Sequence, residues 1–126
     1  MRLLLDTHAL IWWLIDSPRL SQAARAAIAD PQCAVFATAV CGYEIANKER
    51  LGRLPGKLTG ILPQVLRKGR ISVHPLSLEH MIAAVLLPGP HRDPWDRLIM
   101  AQALLDHLTV VTIDPVFRAY GVPVHW

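Results

Sequence analysis

The sequence predicts an α/β fold: an α/β/α sandwich in which helices flank a central, mostly parallel sheet of four to five strands. Three observations indicate this fold. Short apolar segments typical of strands alternate with helical segments along all 126 residues, as in successive β–α–β units. Hydrophobic residues make up 52% of the chain, which suits strands covered on both faces. Aspartates follow the first and fourth predicted strands, where open parallel sheets bind ligands.

The N-terminal half is predicted to hold two strands and three helices. Ser21 and Thr38 are placed to cap helices, because their hydroxyls can accept free backbone N–H groups. The residue before Pro31 resists helical geometry, and Gly52 suits the end of a helix. The predicted strands are Arg2–Leu5 and Ala34–Ala37, and the predicted helices are Thr7–Ile15, Gln22–Ala29 and Thr38–Leu51.

The C-terminal half continues the alternation. Ser77 is a predicted cap, and Pro94 occupies the first turn of a long helix after a loop rich in helix breakers. Neither a repeat nor a long linker interrupts the chain, so one domain over residues 1–126 is expected. The predicted strands are Ile71–His74, Thr109–Ile113 and Val122–Val124, and the helices are Leu58–Lys68, Leu78–Leu87, Pro94–His107 and a short one from Pro115 to near Gly121.

Composition excludes several classes of protein. No apolar run approaches the roughly 18 residues that a membrane-spanning helix needs. Asp6 interrupts the N-terminus too early for a signal peptide. Two cysteines without metal-binding spacing make a disulfide framework or a zinc site improbable, so a cytoplasmic protein is expected. The net charge of +3 is mild, but if several acids share one pocket, the rest of the surface is more basic than this total indicates.

Four acidic residues are the main functional signal. Asp6 and Asp114 end predicted strands, while Glu44 and Asp96 lie on helices that could flank the same sheet edge. Each has an ordinary alternative: helix capping for the two strand-end aspartates, a pair with Lys48 for Glu44, and the helix dipole for Asp96. Together they would repel one another unless a cation lay between them, and oxygen donors select Mg²⁺ or Mn²⁺ over zinc.

Two neighbours of these acids have similar alternatives. Thr7 could cap a helix or hydrogen-bond a carboxylate that holds the metal. Asp93, directly before Pro94, is better explained as a helix cap than as a metal contact.

Four segments carry a resemblance to a known family. The chain resembles PIN-domain ribonucleases, specifically the VapC toxins of bacterial toxin–antitoxin pairs, over nearly its full length. By this resemblance Asp6, Glu44, Asp96 and Asp114 match the acidic quartet of the family, Asp93 matches an additional acid, and Thr38 and Thr112 match hydroxyl positions near the site. Cys41, Tyr43 and Asn47 depart from the usual residues and bear on substrate or partner fit. The segments are LLLDTHALIWWL, YEIANKERLGRL, HRDPWDRLIMAQAL and TVVTIDPVFRAYGVPVHW.

The resemblance implies a PIN-like fold, dependence on Mg²⁺ or Mn²⁺, and cleavage of RNA. It also implies a homodimer, a cognate antitoxin whose tail covers the site, and contact with operator DNA only through that antitoxin. If an antitoxin helix binds an apolar groove, the helices Thr7–Ile15 and Thr38–Leu51 are the expected surfaces.

The expected reaction is hydrolysis of an RNA phosphodiester by metal-activated water. Asp6 and Asp96 would be the principal ligands, completed by Glu44 and Asp114. Arg92 and Arg97 could bind the phosphate backbone or could simply face solvent. Trp95 could stack on an unpaired base, although a core or interface role is favoured.

Two other classes of protein share part of this pattern. A phosphotransferase of the haloacid dehalogenase type would need an acid where His8 stands. The remaining alternative is a catalytically inactive PIN-like module that binds an antitoxin or RNA without cleaving it.

Overall fold

The computed structural model describes Met1–Trp126 and contains one five-stranded sheet in the order β3-β2-β1-β4-β5. Every pair of neighbouring strands is parallel, which confirms the predicted α/β class. The strands are β1 (Arg2–Leu5), β2 (Ala34–Thr38), β3 (Ile71–His74), β4 (Thr109–Val111) and β5 (Val124–His125).

Seven helices cover the two faces of the sheet and complete the predicted sandwich. The core on one face is built mainly from α1, α2, α3 and α4, and the core on the other from α5, α6 and α7. No helix combines the length and the hydrophobicity that a membrane-spanning segment requires. Their bounds are α1 (Thr7–Leu14), α2 (Gln22–Ala29), α3 (Ala39–Arg50), α4 (Leu62–Lys68), α5 (Leu78–Leu86), α6 (Pro94–Asp106) and α7 (Val116–Ala119).

The central strand explains the leucine run near the N-terminus. Leu3 and Leu5 pack into the core beneath α1 and α2, and Leu4 packs into the core on the opposite face. All three side chains are fully buried. Since successive side chains of a strand point to opposite faces, three consecutive leucines are what a strand covered on both sides requires.

The order of the strands brings two aspartates to one edge. Leu5 in β1 is in register with Val111 in β4, so the two strands end side by side. Asp6 follows Leu5, and its backbone N–H donates to the carbonyl of Val111 at 3.2 Å. Asp114 lies three residues beyond Val111, at the same carboxyl edge of the sheet.

Several element boundaries differ from the prediction for local reasons. The helix expected from Leu58 begins at Leu62, because Pro63 lacks an N–H and fits only the first turn. The strand expected to reach Ile113 stops at Val111, since the hydroxyl of Thr112 accepts the N–H of Asp114 and turns the chain. The last strand is Val124–His125 instead of Val122–Val124, because the N–H of Val122 donates to Phe117 in a turn.

Candidate active site

Five acidic side chains surround one cleft of about 450 Å³ at the carboxyl edge of the sheet. The strand ends supply Asp6 and Asp114, α3 supplies Glu44, and the start of α6 supplies Asp93 and Asp96. The structure therefore brings together the four acids of the predicted quartet and the additional acid. Thr7, His8, Trp12, Arg19, Ile99, Ile113 and Pro115 complete the lining.

Asp6 is the most buried acid of the cleft, with 7% of its surface exposed. One oxygen, Oδ1, accepts the N–H of Ala9 at 2.7 Å and so caps α1. Burial raises the pKa of Asp6, although hydrogen bonds from Thr112 and Ala9 act in the opposite direction. A carboxylate has two oxygens, so capping by Oδ1 leaves Oδ2 for another partner. The two alternatives proposed for Asp6 are therefore compatible.

Glu44 is held by a hydroxyl from the neighbouring helix. Oγ1 of Thr7 donates to Oε1 of Glu44 at 2.5 Å, as expected for a hydroxyl that orients a carboxylate. Burial is the largest cause of the raised pKa of Glu44, and the nearby charges of Asp93 and Asp96 add to it. No ion pair with Lys48 forms, so the alternative use of Glu44 is not adopted.

The two acids at the start of α6 have different partners. Oδ1 of Asp93 accepts the N–H of Trp95 at 2.9 Å, which makes it the predicted helix cap. Oδ2 of Asp96 lies 2.9 Å from Nε2 of His91. Burial raises the pKa of Asp96 against the effect of His91, and the charges of Asp93 and Asp114 add to the rise. His91 was not predicted as a site residue, because the sequence placed it only in a loop.

Thr112 influences both strand-end aspartates. Its Oγ1 accepts the N–H of Asp114 at 3.0 Å, and its side chain acts to lower the pKa of Asp6 against the larger effect of burial. Asp114 in turn accepts the N–H of Val116 through Oδ1 at 2.9 Å. Thr38 is different: it is buried and caps α3 by accepting the N–H of Val40, and it does not line the cleft.

The cleft has the electrostatics of a cation site. Its acids form no ion pair with a lysine or arginine, and the pKa of each of Asp6, Glu44 and Asp96 is raised. Burial and mutual repulsion both disfavour the charged forms, and a divalent cation would reverse both effects. The carboxylates offer only oxygen atoms, the donors that Mg²⁺ and Mn²⁺ prefer.

A second group of potential ligands lies at the other end of α6. Asp106 is ten residues beyond Asp96, about 15 Å along the helix, and its Oδ2 contacts Nε2 of both His74 and His80 at 2.6 and 2.7 Å. Because Nδ1 of His80 accepts the N–H of Ser77, the proton of its ring is on Nε2. That nitrogen donates to Asp106 and has no lone pair for a metal, so we assign this group a structural role.

Arg97 differs from its expected role in substrate binding. Its guanidinium donates to the carbonyls of Ala84 at 2.8 Å and His91 at 2.9 Å, and also to those of Val85 and Leu87. These bonds satisfy carbonyls at the end of α5 and secure the loop before α6. Arg97 therefore has little capacity left for a phosphate.

Two further predicted residues do not line the cleft, although Arg92 precedes Asp93 in the chain and Trp95 precedes Asp96. Arg92 is exposed and forms no ion pair, so it remains accessible. Trp95 is half-buried and stacks on Tyr43 with ring centroids 4.6 Å apart. Arg19, which sequence patterns did not single out, reaches the cleft from the segment between α1 and α2.

Comparisons with known proteins identify relatives of this architecture. A family model described as the PIN domain matches residues 3–123. Among solved structures, VapBC2 from Rickettsia felis bound to a promoter DNA fragment matches with a TM-score of 0.69 at 15% identity, covering 98% of this chain and 97% of that chain. VapBC-1 from nontypeable Haemophilus influenzae matches with a TM-score of 0.68 at 16% identity, covering 98% of this chain and 96% of that chain.

A toxin–antitoxin complex from Klebsiella pneumoniae matches with a TM-score of 0.65 at 22% identity, covering 96% of this chain and 93% of that chain. These likenesses establish the shared fold. A comparison with the curated proteins found no match.

Proposed function

The chain belongs to the PIN-domain family, and from that premise we propose that it is an Mg²⁺-dependent endoribonuclease, the toxin of a VapBC-type toxin–antitoxin pair. The nuclease character of PIN domains and the likeness to solved toxin–antitoxin complexes support this proposal. One observation carries it: Asp6, Glu44, Asp96 and Asp114 line a single cleft without a lysine or arginine paired to any of them.

Asp6, Glu44, Asp96 and Asp114 would hold Mg²⁺, or Mn²⁺ in its place. The bound cation would supply Lewis acidity, which activates water and offsets the charge that develops on the phosphate. Asp93 uses one carboxylate oxygen to cap α6, and we assign it a supporting position at the rim of the cleft.

The surrounding residues fix the carboxylates in place. The hydroxyl of Thr7 orients Glu44, the imidazole of His91 restrains one oxygen of Asp96, and Thr112 holds the turn that carries Asp114. Hydrogen bonds of this kind limit the motion of ligand side chains and are worth about tenfold to a hundredfold in metal affinity or activity. Arg92, exposed and adjacent to Asp93 in the chain, would attract the RNA backbone.

The alternative is a PIN-like module that binds an antitoxin or RNA without cleaving it. Intact oxygen donors at all four quartet positions support the enzyme, because a binding module has no need of four mutually repelling acids. The test is cleavage of a labelled RNA by the wild-type protein with Mg²⁺, with Mn²⁺ and with EDTA, together with calorimetric titration of Mn²⁺.

Asp96→Asn and Asp30→Asn provide a matched pair for that assay. Asp96 lies in the cleft, whereas Asp30 is exposed after α2 and accepts only a local N–H. The proposal expects EDTA-sensitive cleavage that Asp96→Asn abolishes and Asp30→Asn retains. Binding of RNA by the wild-type protein without cleavage in any metal would favour the non-cleaving module.

A cognate antitoxin is the second partner in this proposal, and operator DNA would be reached only through it. The solved complexes with this fold contain such partners. An antitoxin tail that covers the cleft would need cations to pair with its acids. The predicted antitoxin surfaces on α1 and α3 offer limited apolar area, since Ala9, Leu10 and Ile45 are buried in the core.

A homodimer is the third part of the proposed function, and α5 offers a surface for it. Its outer face exposes five large apolar side chains at helical spacing, and Val85 is 77% exposed. Two-fold symmetry apposes the same patch on both copies, and a patch without charges meets itself without repulsion. We therefore assign this stripe to a second copy of the chain. Its members are Leu78, Met81, Ile82, Val85 and Leu86.

We further propose that residues 1–126 act as one domain in the cytoplasm. The single sheet draws strands from both ends of the chain, and both cysteines are free thiols, as a reducing compartment favours.

A further inference from the structure

A groove lined by cations continues from the carboxylate cleft. This groove, of about 300 Å³, shares His8, Trp12 and Arg19 with the cleft, and its far side is formed in part by Lys48 and Arg53. It runs between α1, the end of α3 and the segment that follows α3. The cationic groove and the carboxylate cleft therefore form one continuous surface.

The three cations of this groove are free of protein partners. Arg19, Lys48 and Arg53 form no ion pair, and none donates a side-chain hydrogen bond. Other arginines are used within the protein: Arg25 pairs with Asp16, and Arg97 donates to backbone carbonyls. Three unpaired positive charges beside a pocket of acids are available to an anion that enters from solvent.

Aromatic pairs flank these cations. The rings of His8 and Trp12 lie 5.6 Å apart at the boundary between the groove and the cleft. Tyr43 and Trp95 stack beside a small hollow that also contains Lys48 and Arg53. Tyr43 is 59% exposed, so much of its ring surface is available. Alternation of cations with exposed rings suits a single-stranded nucleic acid, whose phosphates and unpaired bases bind these two kinds of group.

We propose that this groove binds the single-stranded RNA segment next to the scissile phosphate, with Arg19, Lys48 and Arg53 on successive phosphates and the exposed ring of Tyr43 against a base. The inference rests on the proposed ribonuclease function and names the path of its substrate. Binding to the groove requires no metal, which allows it to be tested separately from cleavage.

The experiment measures binding of a short, labelled single-stranded RNA by fluorescence anisotropy in EDTA over a range of salt concentrations. Each phosphate contact contributes about 0.7 to the slope of log affinity against log salt. The triple variant Arg19→Gln/Lys48→Gln/Arg53→Gln should lower this slope by about 2, and each single variant by about 0.7. Arg67→Gln is the matched control, because Arg67 is an exposed arginine at the end of α4, outside the groove.

Two further variants test the parts of the groove. Tyr43→Ala should weaken binding about fivefold or more without changing the slope, since it removes stacking and no charge. Lys48→Arg should retain the slope, because the charge is kept. Thermal melting of each variant checks that the fold is retained.

An unchanged slope in the triple variant would overturn the proposal. Equal affinity for a duplex of the same sequence would also overturn it, because paired bases cannot stack on Tyr43. So would a triple variant that loses antitoxin binding while its RNA slope stays normal, since the groove would then be a protein-docking surface. Failure of the ribonuclease function has a different signature: normal RNA binding with the full slope, but no cleavage in any metal.

Discussion

The hydroxyl of Thr7 donates to Oε1 of Glu44 and joins the first turn of α1 to the middle of α3. Glu44 is half-buried beside other acids, so a hydrogen bond that favours its ionised form opposes both burial and repulsion. The same bond fixes the carboxylate relative to Asp6, the residue before Thr7. The hydroxyl of Thr7 thus helps to fix the relative positions of Asp6 and Glu44, which are distant in sequence.

Thr7→Val should reduce cleavage by about tenfold to a hundredfold, because Val keeps the shape of Thr but cannot orient Glu44. The measurement is the rate of RNA cleavage at several Mn²⁺ concentrations, which separates weaker metal binding from slower turnover. Thr7→Ser keeps the hydroxyl and serves as the control. Full activity of Thr7→Val at low Mn²⁺ would contradict the role given to this bond.

Asp6→Asn should abolish cleavage and leave the melting temperature in EDTA equal or higher. The amide oxygen of Asn can still cap α1, while one repelling charge is removed. The sign follows from the raised pKa of Asp6: its ionisation disfavours the native state as pH rises through the native pKa. Thermal melting with EDTA and with Mn²⁺ checks this, and the stabilisation by Mn²⁺ should shrink in the variant.

Asp106→Asn should cost stability at neutral pH and little in strong acid. Burial acts to raise the pKa of Asp106, but hydrogen bonds from His74 and His80 outweigh it and lower the pKa below its ordinary 3.8. A lowered native pKa gives stability that is present above the unfolded pKa and lost as pH falls through the native value. Urea unfolding from pH 7 down to about pH 2 should show the stabilities of the two proteins converging below about pH 4, and parallel curves would contradict this.

Arg97→Gln should lower the free energy of unfolding by about 2 kcal/mol, since several carbonyls lose a charged donor. Arg92→Gln is a matched control on the same loop and helix start. Its side chain is exposed and unpaired, so a change within about 0.5 kcal/mol is expected. Urea unfolding of both variants decides between a structural and a substrate-binding role for Arg97. Equal stability of the two variants would instead favour the predictions from sequence, that Arg97 binds phosphate or faces solvent.

Val85→Glu should convert a dimer into a monomer, because two-fold symmetry would bring the new charges together on α5. Sedimentation velocity at micromolar concentration measures the change. Ile61→Glu, at another exposed apolar position, is the control and should leave the dimer intact. A dimer that persists in Val85→Glu would show that a different surface joins the copies.

The sequence was sufficient to place residues where a local signal agrees with the rule that ligands bind at the carboxyl ends of parallel strands. Asp6 and Asp114 were predicted at one edge because each follows a strand, and the register of Leu5 with Val111 confirms that placement. The start of α6 was predicted because an aspartate precedes a proline that fits the first turn. These features depend on residues that are neighbours along the chain.

Features that depend on tertiary approach were not predictable in this way. Arg97 was predicted to bind the phosphate backbone or to face solvent, yet its partners are carbonyls at the end of a helix that only packing brings near. His91 gave no signal, because its contact with Asp96 depends on the path of an irregular loop. Arg19 reaches the cleft from the segment between α1 and α2, and no sequence pattern predicts the direction of that segment.

Three aspartates of the cleft each use one oxygen to begin a helix or turn: Asp6 for Ala9, Asp93 for Trp95 and Asp114 for Val116. Asparagine keeps that oxygen and discards the charge, and the two amino acids differ by one base in the genetic code. If the protein is the toxin proposed above, a single nucleotide change at Asp6 or Asp114 would therefore remove its activity while retaining a well-folded product. Under the proposed function, such a product would still bind the antitoxin, and so would influence other copies of the chain after losing its own chemistry.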